Sequence, residues 1–187
     1  METPITLVEL PPWQHGILNG QPSYDEFSLV MSRLPPRALP TLEAAARDRG
    51  YRNVQSISPI CNPSSRLTQS DWQRLLSSEV VGLSAITRTS KQTLELARIL
   101  KLNSPRTKIV VGGPHFTVRY EDALDAGIDA VVLIEGEKTF PDLLDSKFNP
   151  DKMAEVKGIA FRDSGKTVVT SHQQFLTPDE LSQIHPF

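Results

Sequence analysis

The sequence predicts an α/β fold, a doubly wound five-stranded parallel sheet carrying a C-terminal β-hairpin and tail, and three observations support this. Runs rich in Val, Ile and Leu recur at residues 5–10, 80–86, 108–111 and 130–134 with little polar alternation. Strands of that composition are buried on both faces, as in a parallel sheet covered by helices on each side. Helical segments separate the runs, as parallel crossovers require. After Val156 the pattern changes, and Asp163-Ser164-Gly165 stands between two extended runs as the turn of a hairpin. The expected strand order of the parallel part is 2-1-3-4-5.

The first run ends at Pro11-Pro12, which have no N–H to give to a ladder, so the chain leaves the sheet there. Residues 13–36 form a long polar, proline-bearing connection, of the length used for binding loops and lids. A helix around "TLEAAARDRG" follows, with Pro40 in its first turn and Gly50 as its stop. Residues 54–57 read as the second strand, and Ser70 with Gln73 as the capping box of the next helix. Thr89 and Gln92 then start a helix to about Leu102, which lays Leu94, Ala97 and Leu100 on the sheet. A short helix over residues 121–126 stops at Gly127, and residues 139–142 resemble another helix start. The final "LTPDELSQIHPF" has little to bury and reads as a linker or C-terminal arm. The expected division is therefore an α/β domain over residues 1–150 and a hairpin with a linker-like extension over residues 151–187.

At 187 residues the chain can bury a core without help from metals or disulfides. Its 20 Lys+Arg against 22 Asp+Glu give a formal net charge of -2, which offers no electrostatic footprint for DNA or RNA. Cys61 is the only cysteine, so neither an intrachain disulfide nor a thiolate cluster can form, and the cytoplasm is the expected compartment. The opening "METPITLVELPP" lacks the order of a secretory leader, and no apolar run reaches membrane-spanning length. No nucleic-acid or membrane partner is expected.

In an open parallel sheet the carboxyl ends of the strands share one edge, where ligands bind. Four loops converge there, after Leu10, at residues 84–87, at residues 112–115 and at residues 135–137. Gly112 and Gly113 either let a bulky ligand approach the backbone or make a tight turn at positive φ, and both readings fit. Ser84 lies inside an apolar strand, where its hydroxyl needs a partner, either a backbone carbonyl or a ligand. Thr87 faces the crevice, whereas Thr89 suits an N-cap. Glu135 and Glu137 flank Gly136; paired carboxylates suit acid/base work in unequal environments, but fixing the turn by accepting backbone N–H bonds is the favoured role. Gly136 would then admit the ligand. His115 stands on the same rim. His15, in the first loop, is the one candidate metal ligand, since no spacing among His15, His115, His172 and His185 makes a zinc site. Trp13 either covers an apolar ligand or closes the core.

Taken in order, "LVELPP", the proline-rich segment before "LEAAARDRGY", "VVGLSAITRT", "IVVGGPH" and "DAVVLIEGEKTFPDLL" resemble the cobalamin (B12)-binding domain family. The likeness is greatest to the domain found ahead of radical S-adenosylmethionine enzymes, and it spans residues 5–144. It implies a Rossmann-like, flavodoxin-like fold with a corrinoid across the strand ends and its nucleotide tail extended into the domain. The family's S-x-L element falls on Ser84 and Ile86, and its paired glycines on Gly112 and Gly113, both as tail-binding elements. Thr87 and the Glu135-Gly136-Glu137 turn resemble rim and tail contacts of the radical branch. Pro12 and Trp13 would lie near the lower face of the corrin.

Two departures qualify the resemblance. The classical D-x-H-x-x-G motif is missing, since "PPWQHGILNG" has no matching aspartate, so His15 is not an inherited cobalt ligand and base-off cobalamin is implied. The radical branch also needs C-x-x-x-C-x-x-C, which a single cysteine cannot supply. S-adenosylmethionine and the 4Fe-4S cluster are therefore expected in a separate catalytic domain or partner protein. The resemblance implies the corrinoid module of a methyl-transfer system rather than a complete radical enzyme. The sheet alone leaves room for a flavodoxin-like FMN or nucleotide module, or for a ligand-free interaction domain, although neither G-x-G-x-x-G nor G-x-x-x-x-G-K-[ST] is present.

Overall fold

The computed structural model describes residues 3–11, 38–59 and 66–184. Its parallel strands are β1 (Ile5–Glu9), β2 (Val54–Ile57), β3 (Val80–Ser84), β4 (Lys108–Gly112) and β5 (Ala130–Val132). Two more, β6 (Ile159–Asp163) and β7 (Lys166–Val169), form the C-terminal hairpin. Together they make a seven-stranded sheet in the order β2-β1-β3-β4-β5-β6-β7. Pairing is parallel from β2 through β5 and antiparallel at β5–β6 and β6–β7. The predicted 2-1-3-4-5 core is thus present, and the hairpin continues the same sheet. Ser164 at φ 47° and Gly165 at φ 79° form its turn, the left-handed pair that matches the twist of antiparallel strands.

Alternate residues of each strand feed two separate cores, so both faces must be covered. One face packs Val81, Leu83, Ile109 and Val111 against helices α2 (Gln69–Ser77), α3 (Ser90–Asn103), α4 (Pro114–Val118) and α5 (Tyr120–Asp125). The other packs Ile5, Leu7, Val110 and Val132 against α1 (Ala38–Asp48), α6 (Thr139–Asp145) and the short α7 (Pro150–Met153). Burial of this apolar surface, at about 25 cal/mol per Å², is the dominant favourable term holding the layers together.

The amino-terminal edge of the sheet is closed by hydrogen bonds. Asp129 accepts from Lys101 Nζ at 2.6 Å, from Lys108 Nζ at 3.1 Å and from the Ile109 N–H at 2.7 Å, which ties α3, β4 and the start of β5 together. Buried hydroxyls add a second tie, Thr6 Oγ1 to Ser78 Oγ at 2.8 Å and Thr107 Oγ1 to the Ser78 carbonyl at 2.8 Å. Such buried partners satisfy groups that would otherwise lose water without compensation.

Several local expectations change. The capping box of α2 is Thr68 with Asp71, not Ser70 with Gln73, because Asp71 accepts from the Thr68 N–H at 2.7 Å while Thr68 Oγ1 accepts from the Asp71 N–H at 3.2 Å. Thr89 stands at the N-cap position of α3 as expected, but its side chain makes no capping hydrogen bond to that helix; it closes a 3₁₀ turn over Thr87–Thr89 and exchanges hydrogen bonds with the Ile86 backbone. Along α3 the fully buried stripe is Leu96, Ala97 and Leu100, with Leu94 only partly buried. The tail contains a helix, α8 (Pro178–Ser182), capped by Thr177 and Glu180. Among the described residues, no helix is long and apolar enough to cross a membrane.

Candidate functional site

The carboxyl-terminal edge is open, and the reason lies in one face of three adjacent strands. Register places Leu7, Gly82 and Val110 in one row and Glu9, Ser84 and Gly112 in the next. Branched residues would fill this face, but Gly82, Ser84 and Gly112 leave a side-chain-poor strip. It opens a cavity of about 250 Å³, floored by Leu7 and Val110 and walled by Leu39 and Leu42 of α1 and by Phe140 of α6. A methyl group at Gly82 would come within 2.7 Å of Leu7 Cδ2, whereas one at Gly112 would meet Val132 Cβ at an ordinary 3.6 Å. Gly82 therefore lets the tip of Leu7 pack across β3, while Gly112 only leaves space.

Half of the residues singled out from the sequence meet here. Ser84, Gly112, Gly113, Glu135, Gly136 and Glu137 all line the cavity. Gly113 stands at φ 104°, and a Cβ there would lie 2.3 Å from the Ala85 carbonyl oxygen, so the turn requires glycine whatever else the residue does. Gly136 lets Leu42 of α1 close in, since a Cβ would come within 2.7 Å of Leu42 Cδ2. Glu135 fixes its turn by accepting the Leu176 N–H at 3.0 Å, the backbone-anchoring role favoured from the sequence. Thr87 Oγ1 and His115 Nδ1 lie 3.3 Å apart on the rim, and the half-exposed Ile86 stands beside Thr87, outside the cavity lining. Pro12, Trp13 and His15 lie outside the described residues, as do residues 13–36 and Cys61. Among the described residues, no group of His, Cys, Asp or Glu is arranged to hold a metal ion.

Some residues of this edge escaped the sequence reading. Gly82, in the middle of a buried strand, was a readable signal, because glycine there marks a bulge or a close approach. Glu9 shares the row of Ser84 and Gly112, and burial holds its carboxyl above the ordinary value. Ile134, also on the cavity wall, has φ 67°.

The arrangement is an apolar slot beneath a glycine-rich rim, the concave and mostly apolar form that small-molecule sites take. A family model described as the B12 binding domain matches residues 29–144, more than half of the chain. The chain belongs to that family.

Relatives of this B12-binding domain include an uncharacterized methyltransferase of Pyrococcus horikoshii, 28% identical over 165 residues that make up 86% of this chain and 33% of that protein. The anaerobic magnesium-protoporphyrin IX monomethyl ester cyclase of Cereibacter sphaeroides is 30% identical over 146 residues, 73% of this chain and 23% of the cyclase. The B12-binding domain thus spans a third or less of these relatives' lengths. Among solved structures, the cobalamin-dependent S-adenosylmethionine radical enzyme OxsB with aqua-cobalamin bound superposes with a TM-score of 0.62 at 20% identity, over 93% of this chain and 23% of OxsB. The radical S-adenosylmethionine methyltransferase TsrM from Kitasatospora setae, with cobalamin and a 4Fe-4S cluster bound, gives 0.62 at 17% identity over 94% of this chain and 30% of TsrM. At these identities the two structures establish a shared fold.

Proposed function

We propose that this chain binds cobalamin in the base-off form and serves as the corrinoid module of a radical S-adenosylmethionine methyl-transfer system. The observation that carries the reading is the strip Gly82, Ser84 and Gly112, which opens the apolar slot under the strand ends. A volume of about 250 Å³ suits the aromatic base of a nucleotide tail and is too small for the macrocycle, which is left to the rim formed by Ile86, Thr87 and His115. A base held in the slot is unavailable to cobalt, so a base-off cofactor goes with this geometry. When bound, the corrinoid supplies a cobalt centre that accepts and releases a methyl group, chemistry no side chain here can perform.

The chain's own residues bind and orient. Ser84 offers a hydroxyl to the tail, Gly112 leaves it room, and Gly113 sets the turn. The Glu135-Gly136-Glu137 turn forms the far wall. Pro12 and Trp13 are proposed first-loop contacts on the family resemblance, and His15 is the proposed metal ligand on the ligating capacity of its imidazole alone. S-adenosylmethionine and the 4Fe-4S cluster belong to a separate catalytic domain or partner, since one cysteine cannot bind a cluster.

Titration with hydroxocobalamin, followed by ultraviolet-visible spectra and with FMN as control, tests the assignment. The expected result is corrinoid uptake with a base-off spectrum and no flavin uptake. Gly112→Leu should keep the fold and weaken binding at least about tenfold by filling the slot; Gly113 is no such probe, because its backbone admits no Cβ. Uptake of FMN instead, or of neither ligand, would replace the reading with a flavin module or an interaction domain.

A further inference from the structure

Strand β5 ends at Val132, and two residues later the backbone turns left-handed at Ile134, φ 67°. A left-handed conformation costs an L-residue about 1–2 kcal/mol, and a β-branched side chain makes it a true outlier. Glycine or asparagine would take the same backbone with less strain. The conformation is held in place: the Ile134 N–H donates to Thr117 Oγ1 at 3.1 Å, and Thr117 Oγ1 donates to the Gly113 carbonyl at 3.2 Å. Core packing does not account for the isoleucine, because the residue is 42% exposed while its neighbour Leu133 is 5% exposed. Ile134 instead belongs to the cavity wall, together with Gly113, Pro114 and Glu135.

We propose that Ile134 is a ligand-contacting residue, kept in a strained backbone so that its branched side chain closes the mouth of the slot over the tail's aromatic base. The inference rests on the cobalamin reading and adds to it a residue that governs release. Apolar contact at a pocket mouth acts mainly on dissociation. Stability and affinity should therefore move in opposite directions at this position, which a purely structural residue would not do.

The test compares wild type, Ile134→Gly and Ile134→Asn for apo-protein melting temperature, hydroxocobalamin affinity and release rate. The expected result is a melting temperature raised by about 2–4 °C in at least one variant, with affinity weakened about tenfold in both, mainly through faster release. Unchanged affinity in both variants overturns the proposal. A fall in melting temperature together with affinity in both variants also overturns it, since that marks an ordinary packing residue. Failure of the wild type to bind cobalamin would instead reject the cofactor reading on which it rests.

Discussion

Glu9 stands at the end of β1 in the row of Ser84 and Gly112, and burial raises its carboxyl above the usual range. A carboxyl raised in the folded state is easier to bury protonated than ionised. Its penalty is absent below the unfolded value near 4.5 and grows as pH rises through the folded value. Glu9→Gln should therefore stabilise the apo-protein at pH 7, with no gain at pH 4; melting temperatures at the two pH values check it. Residues at this edge were unequally legible in the sequence. Ser84 and the paired glycines stood out because polar or side-chain-free positions interrupt apolar strands. Ile134 gave no signal, since isoleucine is among the last residues expected at positive φ, and the extended run through residue 134 concealed the early end of β5.

At the scale of elements, the C-terminal segment is more than a loose arm. Lys138, just before α6, donates to Glu180 Oε1 at 2.6 Å, and Leu176 reaches Glu135. The Glu180 carboxyl is held down to about 2, first by Lys138 and then by the Thr177 N–H and hydroxyl. A depressed carboxyl supports docking in full above about 4.5, and that support is lost as pH falls through about 2. Lys138→Met should raise the Glu180 titration midpoint toward 4.5 and loosen α8 at neutral pH, read from the amide chemical shifts of residues 176–182. The sequence hid this helix because none of its residues is buried, and apolar periodicity reports only faces that pack. The α2 start was misplaced for another reason. Two hydroxyl-x-x-acceptor patterns overlap there, and the ionised Asp71 accepts a backbone N–H more strongly than the neutral amide of Gln73.

For the whole molecule, the parallel sheet followed from apolar runs because strands buried on both faces lack polar alternation. The order 2-1-3-4-5 is one of two common doubly wound orders and did not follow from the runs. How the hairpin attaches did not follow. Ile159, Ala160 and Phe161 are 0%, 0% and 1% exposed, and β6 covers the edge of β5. A fragment ending at residue 150 should lose at least about 5 kcal/mol, comparable with the entire stability of many domains, whereas one ending at residue 170 should retain cooperative unfolding. Urea titrations of both fragments measure the difference.

The hydrogen bond from Leu176 to Glu135 returns the polypeptide to the lip of the slot before it reaches α8. A protein module spliced beyond this point by a short flexible tether would be presented to the slot at an effective concentration of about millimolar, with no contact surface of its own. Swapping Glu135 and Lys138 together for residues unable to bond Leu176 and Glu180 would lengthen the tether and lower this value without altering any group on the incoming module.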